Sequence, residues 1–243
     1  MLERAFKILD VLGASSTSLG LTEIALRADV PKATTYRLLN QLVELRVVER
    51  HGEWYRLGRH MFTLGAAVVA QRRLREAALP LMSDLCDSLR QVVHLGVLDN
   101  GAVLHIEKVV PRGHRVSRAS LGTRRAVHAT ALGKAILAFL PPEDVPRIVG
   151  RMEKYTPYTT TDLEALGRQL SRAREAGFAI EHEEWVTGVN CVGAPILNAS
   201  RQPIAGLSVS GPISSFTAER AGLAVRTAAT EIGAVVAARP WEQ

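Results

Sequence analysis

An amphipathic helix is predicted near the N-terminus, over residues 31–45. At about 100° per residue its leucines fall on one side, which must pack against other elements; they are Leu38, Leu39, Leu42 and Leu45. The opposite side presents Ala33, Tyr36, Arg37 and Asn40. Arginine pairs with guanine, asparagine with adenine, and a small or aromatic side chain contacts the thymine methyl group. The pattern predicts a face that reads DNA bases, although a solvated helix surface would show similar polarity.

Residues suited to binding the DNA backbone flank this face. Lys32, Thr34 and Thr35 stand at the start of the helix, where free N–H groups and hydroxyls can hold a phosphate. A second group lies on or beside a predicted hairpin, placed to contact a backbone or the minor groove: Arg50, His51 and Arg56.

The elements that must position these residues predict a winged helix-turn-helix. Apolar spacing indicates a helix over residues 3–13, a second helix from Thr22 as its N-cap, and a third in which Pro31 occupies the first turn. Two short strands, 47–50 and 54–57, are joined by three residues and form a hairpin. Because helix, loop, helix and basic hairpin occur together, DNA recognition is favoured.

The distribution of charge supports a polyanionic partner for this region. The whole chain carries a formal net charge of +6. Residues 1–75 hold 12 Lys and Arg against 7 Asp and Glu, a net of +5, whereas residues 76–243 hold 18 against 17. Release of counterions from phosphates drives the binding of such a segment to nucleic acid. A basic surface without any partner would give the same count.

Length and composition narrow the class of protein. With 243 residues, 47% of them hydrophobic and 22% charged, the chain can bury a real core, which excludes disorder. No apolar stretch approaches the roughly 18 residues that a membrane span needs, and the N-terminus does not resemble a signal peptide, so we expect a cytoplasmic protein without membrane contact. Cys86 and Cys191 lack metal-site spacing, which argues against a disulfide framework and a zinc site.

The rest of the chain alternates between helical and strand patterns. Residues 59–90 are predicted as helical, interrupted at Gly65 and Pro80, with the basic cluster 72–75 at the end of a linker helix. Strands are predicted over 92–97, 102–110, 178–181, 191–197 and 204–210. Helices are predicted over 130–140, 142–151 and 218–238, and a capping box at 161–164 begins another that ends at Gly177. This mixture fits an α+β sensor domain.

A few residues of this region could bind a ligand. Ser208 and Ser210 alternate onto one face of a strand, where two hydroxyls could bind a polar molecule or be solvated. The helix that opens at Thr130 offers free N–H groups to a carboxylate or phosphate, but Ala131, Gly133 and Ala135 suit close packing equally well. Cys191 is more often a small core residue than a nucleophile.

Short motifs in a fixed order connect both regions to one family. In the first region they are Leu21–Ala25, Val30–Leu39, Leu42–Glu44 and Tyr55–Gly58. In the second region they are His128–Ala135, Gly177–Ala179, Glu183–Glu184, Gly188–Val189, Cys191, Ala194–Ile196 and Ser208–Pro212. Together these motifs, which cover nearly the whole chain, resemble the IclR-family transcriptional regulators. Members of that family often carry extra residues before the Glu3–Arg4 position.

The resemblance implies a domain plan and a set of ligand-binding residues. A winged helix-turn-helix over 1–58 would be joined by a linker helix, 59–75, to a GAF-like effector-binding domain over 76–243. By position, the family's ligand contacts fall on Ala131, Leu132, Glu181, Cys191, Ser208 and Ser210. The family more often has aspartate where this chain has Glu181, and the added methylene would fill part of the cavity.

The expected function is a sequence-specific transcriptional regulator whose operator binding responds to a small metabolite, such as an organic acid or related catabolic intermediate. Its expected partners are double-stranded operator DNA, a small-molecule effector and a second copy of itself. Two-fold pairing of a dimer, or of a tetramer, would match a palindromic operator. Repression and activation stay equally open.

Two other classes of function compete with this reading. A metabolite-converting enzyme with a GAF-like domain and an accessory nucleic-acid-binding domain is the main alternative, but no catalytic fingerprint occurs and no catalytic residue is assigned. His94, His105, His114 and His128 lack metal-ligand spacing and are interpreted as structural or surface residues, so no metal and no cofactor is expected. An architectural or RNA-binding protein would bind without sequence preference and ignore metabolites.

Overall fold

The computed structural model describes residues 1–113 and 121–238 of the chain. It divides the protein into an N-terminal unit, Met1–Arg72, and a C-terminal unit, Arg73–Gln243. Within the described residues, no helix is both long enough and apolar enough to cross a bilayer. His114, which the sequence suggested to be structural or superficial, lies outside the described residues.

The N-terminal unit is the predicted winged helix-turn-helix. Its elements, in chain order, are α1 (Leu2–Gly13), β1 (Leu19–Gly20), α2 (Leu21–Ala28), α3 (Lys32–Glu44), β2 (Val48–His51), β3 (Trp54–Leu57) and α4 (Arg59–Ala66). The strands form an antiparallel sheet in the order β1-β3-β2. Ile8, Ile24 and Leu39, from α1, α2 and α3, are fully buried in one apolar core that also includes Tyr55 of the sheet. This core fixes α3 with its polar side outward.

Three local expectations for this unit are wrong, and one strand was missed. Pro31 is the N-cap of α3, one position before the helix begins, and does not lie in its first turn. The N-cap of α2 is Gly20, one residue before the helix, so Thr22 already lies inside the first turn. Leu45 is 64% exposed because α3 ends at Glu44 and the chain then turns away from the core. The strand β1 was not predicted, since two residues are too few to show an alternating pattern.

The C-terminal unit is built on one six-stranded antiparallel sheet, in the order β6-β5-β4-β9-β8-β7. Its strands are β4 (Val92–Asp99), β5 (Ala102–Val109), β6 (Arg124–Ala126), β7 (Ala179–His182), β8 (Val189–Leu197) and β9 (Pro203–Pro212). Its helices are α5 (Val69–Leu89), which begins in the N-terminal unit, α6 (Ala131–Leu137), α7 (Val145–Val149), α8 (Leu163–Ala176) and α9 (Ala218–Ala237), with a 3-10 turn at Pro142–Asp144.

Helices cover both faces of this sheet. On one face, α5 and α9 pack against side chains that point the same way from β4, β8 and β9, such as Leu95, Ile196 and Leu207. On the other face lies a second core, to which α6, α7 and α8 contribute Ile136, Val149 and Leu166. Because strand residues alternate between faces, the neighbours of Leu207 on β9 point toward the α6 side. The α+β, GAF-like fold is therefore confirmed.

Several predicted boundaries in this unit change. The break in the helical stretch 59–90 falls between α4 and α5, and Pro80 lies inside α5 without ending it. The basic cluster 72–75 consequently lies within α5 and does not end a helix. The N-cap of α8 is Asp162, whose carboxylate accepts the Ala165 N–H at 2.7 Å, so the capping box predicted from Thr161 to Glu164 does not form. The strand β6 is a further element that the sequence pattern did not reveal.

Candidate nucleic-acid interface and ligand cavity

The outward side of α3 presents the residue types chosen for base contact. Ala33, Tyr36 and Arg37 are exposed, and Asn40 is half-buried. Lys32 is exposed at the first position of the helix. Arg37 makes no hydrogen bond or ion pair with any residue in the described ranges, so its guanidinium is free to meet another molecule.

Thr35 is not part of that surface. It is fully buried, and its hydroxyl donates to the carbonyls of Val30 and Pro31, both at 3.2 Å. The hydroxyl thus ties the start of α3 to the loop that precedes it. The burial of this side chain contradicts the expectation that it binds a phosphate. The Thr34 side chain, in contrast, is only half-buried.

The hairpin between β2 and β3 presents basic side chains that already have protein partners. Arg56 donates twice to Glu49 Oε2, at 3.0 and 2.8 Å, and this bond is the largest cause that lowers the pKa of Glu49. His51 lies 3.7 Å from the same carboxylate oxygen. Arg50 donates to the Gly52 carbonyl at 2.7 Å. A phosphate would therefore compete with Glu49 for Arg56 and His51.

An aromatic side chain that sequence reasoning missed lies beside these residues. Trp54 is 55% exposed and lines a surface groove of about 420 Å³ together with Lys32, Tyr36 and Arg50. The groove joins the start of α3 to the hairpin. Its only sequence signal was a large aromatic residue at an exposed strand position.

A cavity of about 330 Å³ lies in the C-terminal unit, between the start of α6 and the sheet face on that side. The six residues assigned by resemblance all line it: Ala131, Leu132, Glu181, Cys191, Ser208 and Ser210. The other lining residues are His94, His105, Arg125, Thr130, Trp185, Val186 and Val189.

Strand register explains why three of the six meet. Ser208 and Ser210 share one face of β9, opposite to the buried Leu207 and Val209, as the period of two predicted. Cys191 pairs directly with Ser210 across β8 and β9. A polar row thereby crosses neighbouring strands on the cavity side.

The start of α6 approaches the sheet closely because the sheet has a glycine there. A Cβ atom at Gly193 of β8 would lie 2.7 Å from the carbonyl of Ala131, which nothing bulkier than glycine allows. Thr130 caps the helix, since its hydroxyl oxygen accepts the Gly133 N–H at 3.2 Å. The N–H groups of Ala131 and Leu132 belong to the first turn, where a helix supplies no acceptor of its own.

Glu181 and Cys191 are paired on the adjacent strands β7 and β8. Glu181 is 1% exposed, and one of its carboxylate oxygens accepts the N–H groups of Glu184 and Trp185. Burial raises the pKa of Glu181, and a hydrogen bond with the Cys191 side chain opposes that shift. Burial, with Glu181 beside it, raises the pKa of the Cys191 thiol well above its usual range. Cys191 therefore faces the cavity as a thiol, not as a reactive thiolate.

A buried ion pair holds the loop that covers the cavity. Lys134 of α6 and Glu184 bond to each other with their side chains 1% and 5% exposed. Burial lowers the pKa of the Lys134 ammonium, while Glu184 opposes that shift. Thr159 donates its hydroxyl to the Glu184 carbonyl at 2.6 Å. These bonds hold in place the segment that carries Trp185, which lines the cavity. Lys134 and Glu184 are 50 residues apart, so no local sequence pattern indicates that they pair.

Two histidines and an arginine complete the opposite wall, and sequence reasoning did not select them. His94 and His105 are 5% and 6% exposed, with their ring centres 5.1 Å apart and nearly perpendicular. Arg125 stacks on Trp185, its guanidinium carbon 4.8 Å from the ring centre. His128, in contrast, is bonded to the Glu153 carbonyl at 3.0 Å and fits the structural role expected for it. Among the described residues, no group of histidine, cysteine and acidic side chains could hold a metal ion.

Two family models match the chain. One describes the IclR helix-turn-helix domain and matches residues 1–52; the other describes the C-terminal part of bacterial IclR transcriptional regulators and matches residues 66–234. Among characterised relatives, the HTH-type transcriptional regulator BhcR of Paracoccus denitrificans is 38% identical over 87% of this chain and 77% of its own length. The transcriptional repressor IclR of Escherichia coli K12 is 32% identical over 97% of this chain and 85% of its own.

Solved structures give the same result. The crystal structure of an IclR homologue from Microbacterium hydrocarbonoxydans, complexed with 4-hydroxybenzoate, superposes with a TM-score of 0.88 at 28% identity, covering 98% of this chain and 99% of that one. The Thermotoga maritima IclR structure superposes with a TM-score of 0.78 at 29% identity, covering 97% and 98%. The chain belongs to the IclR family of DNA-binding transcriptional regulators.

Proposed function

We propose that this regulator contacts the bases of its operator through α3. Its affinity for the operator changes when a small organic acid occupies the cavity. The observation that carries the proposal is a convergence of residues. Six positions assigned by resemblance come from α6, β7, β8 and β9, and all six surround one cavity. Its volume, about 330 Å³, lies in the range of small-molecule sites.

On the DNA side, the proposal assigns base contacts to Ala33, Tyr36, Arg37 and Asn40. Lys32, Thr34, Arg50, His51 and Arg56 would contact phosphates. Thr35 could contact DNA only through its backbone, because its side chain is buried. The free guanidinium of Arg37 supports a bidentate contact with guanine.

The proposal includes a dimer, or a tetramer made of two dimers, on a palindromic operator. Large apolar side chains stand exposed on the N-terminal unit: Leu2 and Phe6 on α1 are 73% and 56% exposed, and Phe62 on α4 is 80% exposed. Such side chains on helices commonly become buried in contact with a second copy. The proposed domains remain 1–58 and 76–243, with a linker over 59–75.

Binding without turnover is proposed for the cavity. A nucleophilic enzyme needs a base whose pKa lies near the working pH. Burial lowers the pKa of His94 to about 3 and that of His105 to about 4, and it raises the pKa of Cys191. These pKa shifts favour a sensor over an enzyme. The proposed location of this sensor is the cytoplasm, where the operator DNA is.

An organic acid is the proposed class of effector. The relative from Microbacterium hydrocarbonoxydans was crystallised with 4-hydroxybenzoate, an aromatic carboxylate, and its fold matches over nearly the whole chain. The polar groups on the cavity wall suit such a molecule, since hydroxyl, thiol and imidazole groups all bond to a carboxylate or a hydroxyl.

The test begins with the full-length protein and a duplex selected from random DNA. A panel of organic acids is screened for ligands that raise the melting temperature, because a molecule that binds only the folded state stabilises it. Each hit is then added to the protein–DNA complex, and its concentration for half-maximal change in binding is measured.

Ser208→Leu, which fills the cavity, should abolish this response, whereas Ser200→Leu on the exposed surface should leave it unchanged. A hit that acts equally on both variants, or that is consumed by the protein, would contradict the proposal.

A further inference from the structure

The acidic and basic side chains that line the cavity lie on different sides of it. Its carboxylate, Glu181, lies on the edge strand β7, at one end of the sheet. Its basic groups lie on β4, β5 and β6, at the other end: His94, His105 and Arg125. The seryl hydroxyls of β9 and the Cys191 thiol of β8 stand between them.

Arg125 has no counterion in the described part of the chain. It makes neither an ion pair nor a hydrogen bond there, and its guanidinium lies against the face of Trp185. Burial lowers the pKa of this guanidinium, which reflects the cost of holding it away from water. The adjacent Arg124 differs, because it is exposed and bonds to Asp99. A half-buried cation that faces a cavity without a partner is suited to receive an anion.

The two histidines beside Arg125 have unsatisfied ring nitrogens. Within the part of the chain that the structure describes, Nε2 of His94 and both ring nitrogens of His105 are buried and make no hydrogen bond. Buried polar atoms left unpaired are rare, because each costs free energy, and they commonly mark a place where another molecule binds. Each neutral ring has one N–H to donate. Lys108, opposite His94 on β5, adds positive potential at this end.

We propose that Arg125, His94 and His105 form an anion subsite, and that the effector is a bipolar molecule with a carboxylate there. Its second polar group, a hydroxyl or another carboxyl, bonds to Ser208, Ser210 and Cys191. This inference rests on the proposed effector role of the cavity. It differs from the sequence-based expectation, in which the start of α6 receives the carboxylate.

The sheet sets the spacing between the two groups. Adjacent strands lie about 4.8 Å apart, and β4 neighbours β9, which neighbours β8. His94, the member of the subsite on β4, is therefore about 5 to 10 Å from the polar groups of β9 and β8. A chain of a few methylenes or one aromatic ring spans that distance.

The test uses full-length protein and matched probes. They are the straight-chain diacids with three to eight carbons, the corresponding monoacids and diols, and benzoate, 4-hydroxybenzoate and benzyl alcohol. Dissociation constants are measured by calorimetry for the wild type, for Arg125→Gln and Arg125→Lys, and for the matched control Arg124→Gln. Acids that bind the wild type should weaken at least tenfold in Arg125→Gln, recover partly in Arg125→Lys, and change less than twofold in Arg124→Gln.

A second variant tests the other end of the molecule. In Ser208→Ala plus Ser210→Ala, a diacid should lose its advantage over the monoacid of equal length, while the effect of Arg125→Gln persists. Acids that bind Arg125→Gln as tightly as the wild type would overturn the subsite, and so would a wild type that binds none of the acids. A neutral compound that still alters operator binding through the cavity would leave the proposed function intact while overturning the subsite.

Discussion

His94 on β4 lies directly opposite Ser208 on β9, and both side chains line the same cavity. The pair joins the basic wall of the cavity to its hydroxyl-bearing wall. Because directly opposite residues of an antiparallel pair have Cβ atoms about 5 Å apart, one small molecule can touch both. The register of two strands thereby brings together groups separated by more than a hundred positions in the chain.

The double variant Ser208→Ala plus Ser210→Ala should impair the response to effector. Each hydroxyl that loses a hydrogen bond to the ligand costs about 0.5–1.5 kcal/mol, so the midpoint of the response should rise roughly 5- to 150-fold. Operator binding and melting temperature without effector should stay near wild type, because neither hydroxyl carries a core contact. Titration of the protein–operator complex with the effector measures the midpoint. A midpoint equal to that of Ser200→Ala, the exposed control, would place the effector elsewhere.

Periodicity was enough to predict one wall of the cavity and not the other. Ser208 and Ser210 sit two apart in a strand with buried neighbours, so their common face was readable without a structure. Arg125 lies in a strand of three residues, too short for any pattern, and His94 joins the site only through its pairing with β9. Lys134 was placed on a helix correctly, but its partner Glu184 follows 50 residues later. Local spacing carries no information about such long-range register.

Arg37→Ala should reduce affinity for the selected operator and relax its base preference. Loss of a bidentate base contact costs about 1–3 kcal/mol, whereas random DNA should bind almost as before. Lys32→Ala should weaken binding to all duplexes alike and lower the salt slope by about one, since a phosphate contact carries no sequence information. Binding curves on operator and random duplexes at several salt concentrations separate the two effects. Equal loss on both duplexes for Arg37→Ala would exclude base reading by this residue.

Thr35→Val should destabilise the N-terminal unit although the substitution preserves shape. The Val30 carbonyl would lose the Thr35 hydroxyl as its donor, whereas the Pro31 carbonyl would keep the Thr35 backbone N–H, and the expected cost is about 1–3 kcal/mol. Thr34→Val, on the half-buried neighbour, is the matched control and should change the free energy of unfolding by less than about 0.5 kcal/mol. Urea unfolding of both variants measures the difference. If Thr35→Val is as stable as Thr34→Val and instead loses phosphate-dependent DNA affinity, the inward hydroxyl is misassigned.

Breaking the buried pair of Lys134 and Glu184 should lower the free energy of unfolding strongly, whereas replacing both side chains should lower it only slightly. Lys134→Met alone leaves a buried carboxylate uncompensated, which typically costs about 3–5 kcal/mol. The double variant Lys134→Met plus Glu184→Leu removes both charges and should recover most of that loss. Denaturant unfolding of the single and double variants completes the cycle. Additive losses would show that the two side chains do not stabilise each other.

Acid should weaken the fold in part through the two histidines of the cavity. Burial lowers the pKa of His94 to about 3 and that of His105 to about 4, from an ordinary value of 6.5. Below pH 6.5 the two histidines bind protons in the unfolded chain but stay neutral in the folded chain. The stability that they contribute above pH 6.5 is therefore lost as the pH falls toward 4. For His94 the loss between pH 6.5 and 5 is about 2 kcal/mol. The free energy of unfolding is measured across this range for the wild type, for His94→Gln plus His105→Gln, and for the exposed control His60→Gln. The double variant should show a shallower decline with falling pH than the other two, and a decline as steep as theirs would mean that the buried rings take up protons freely.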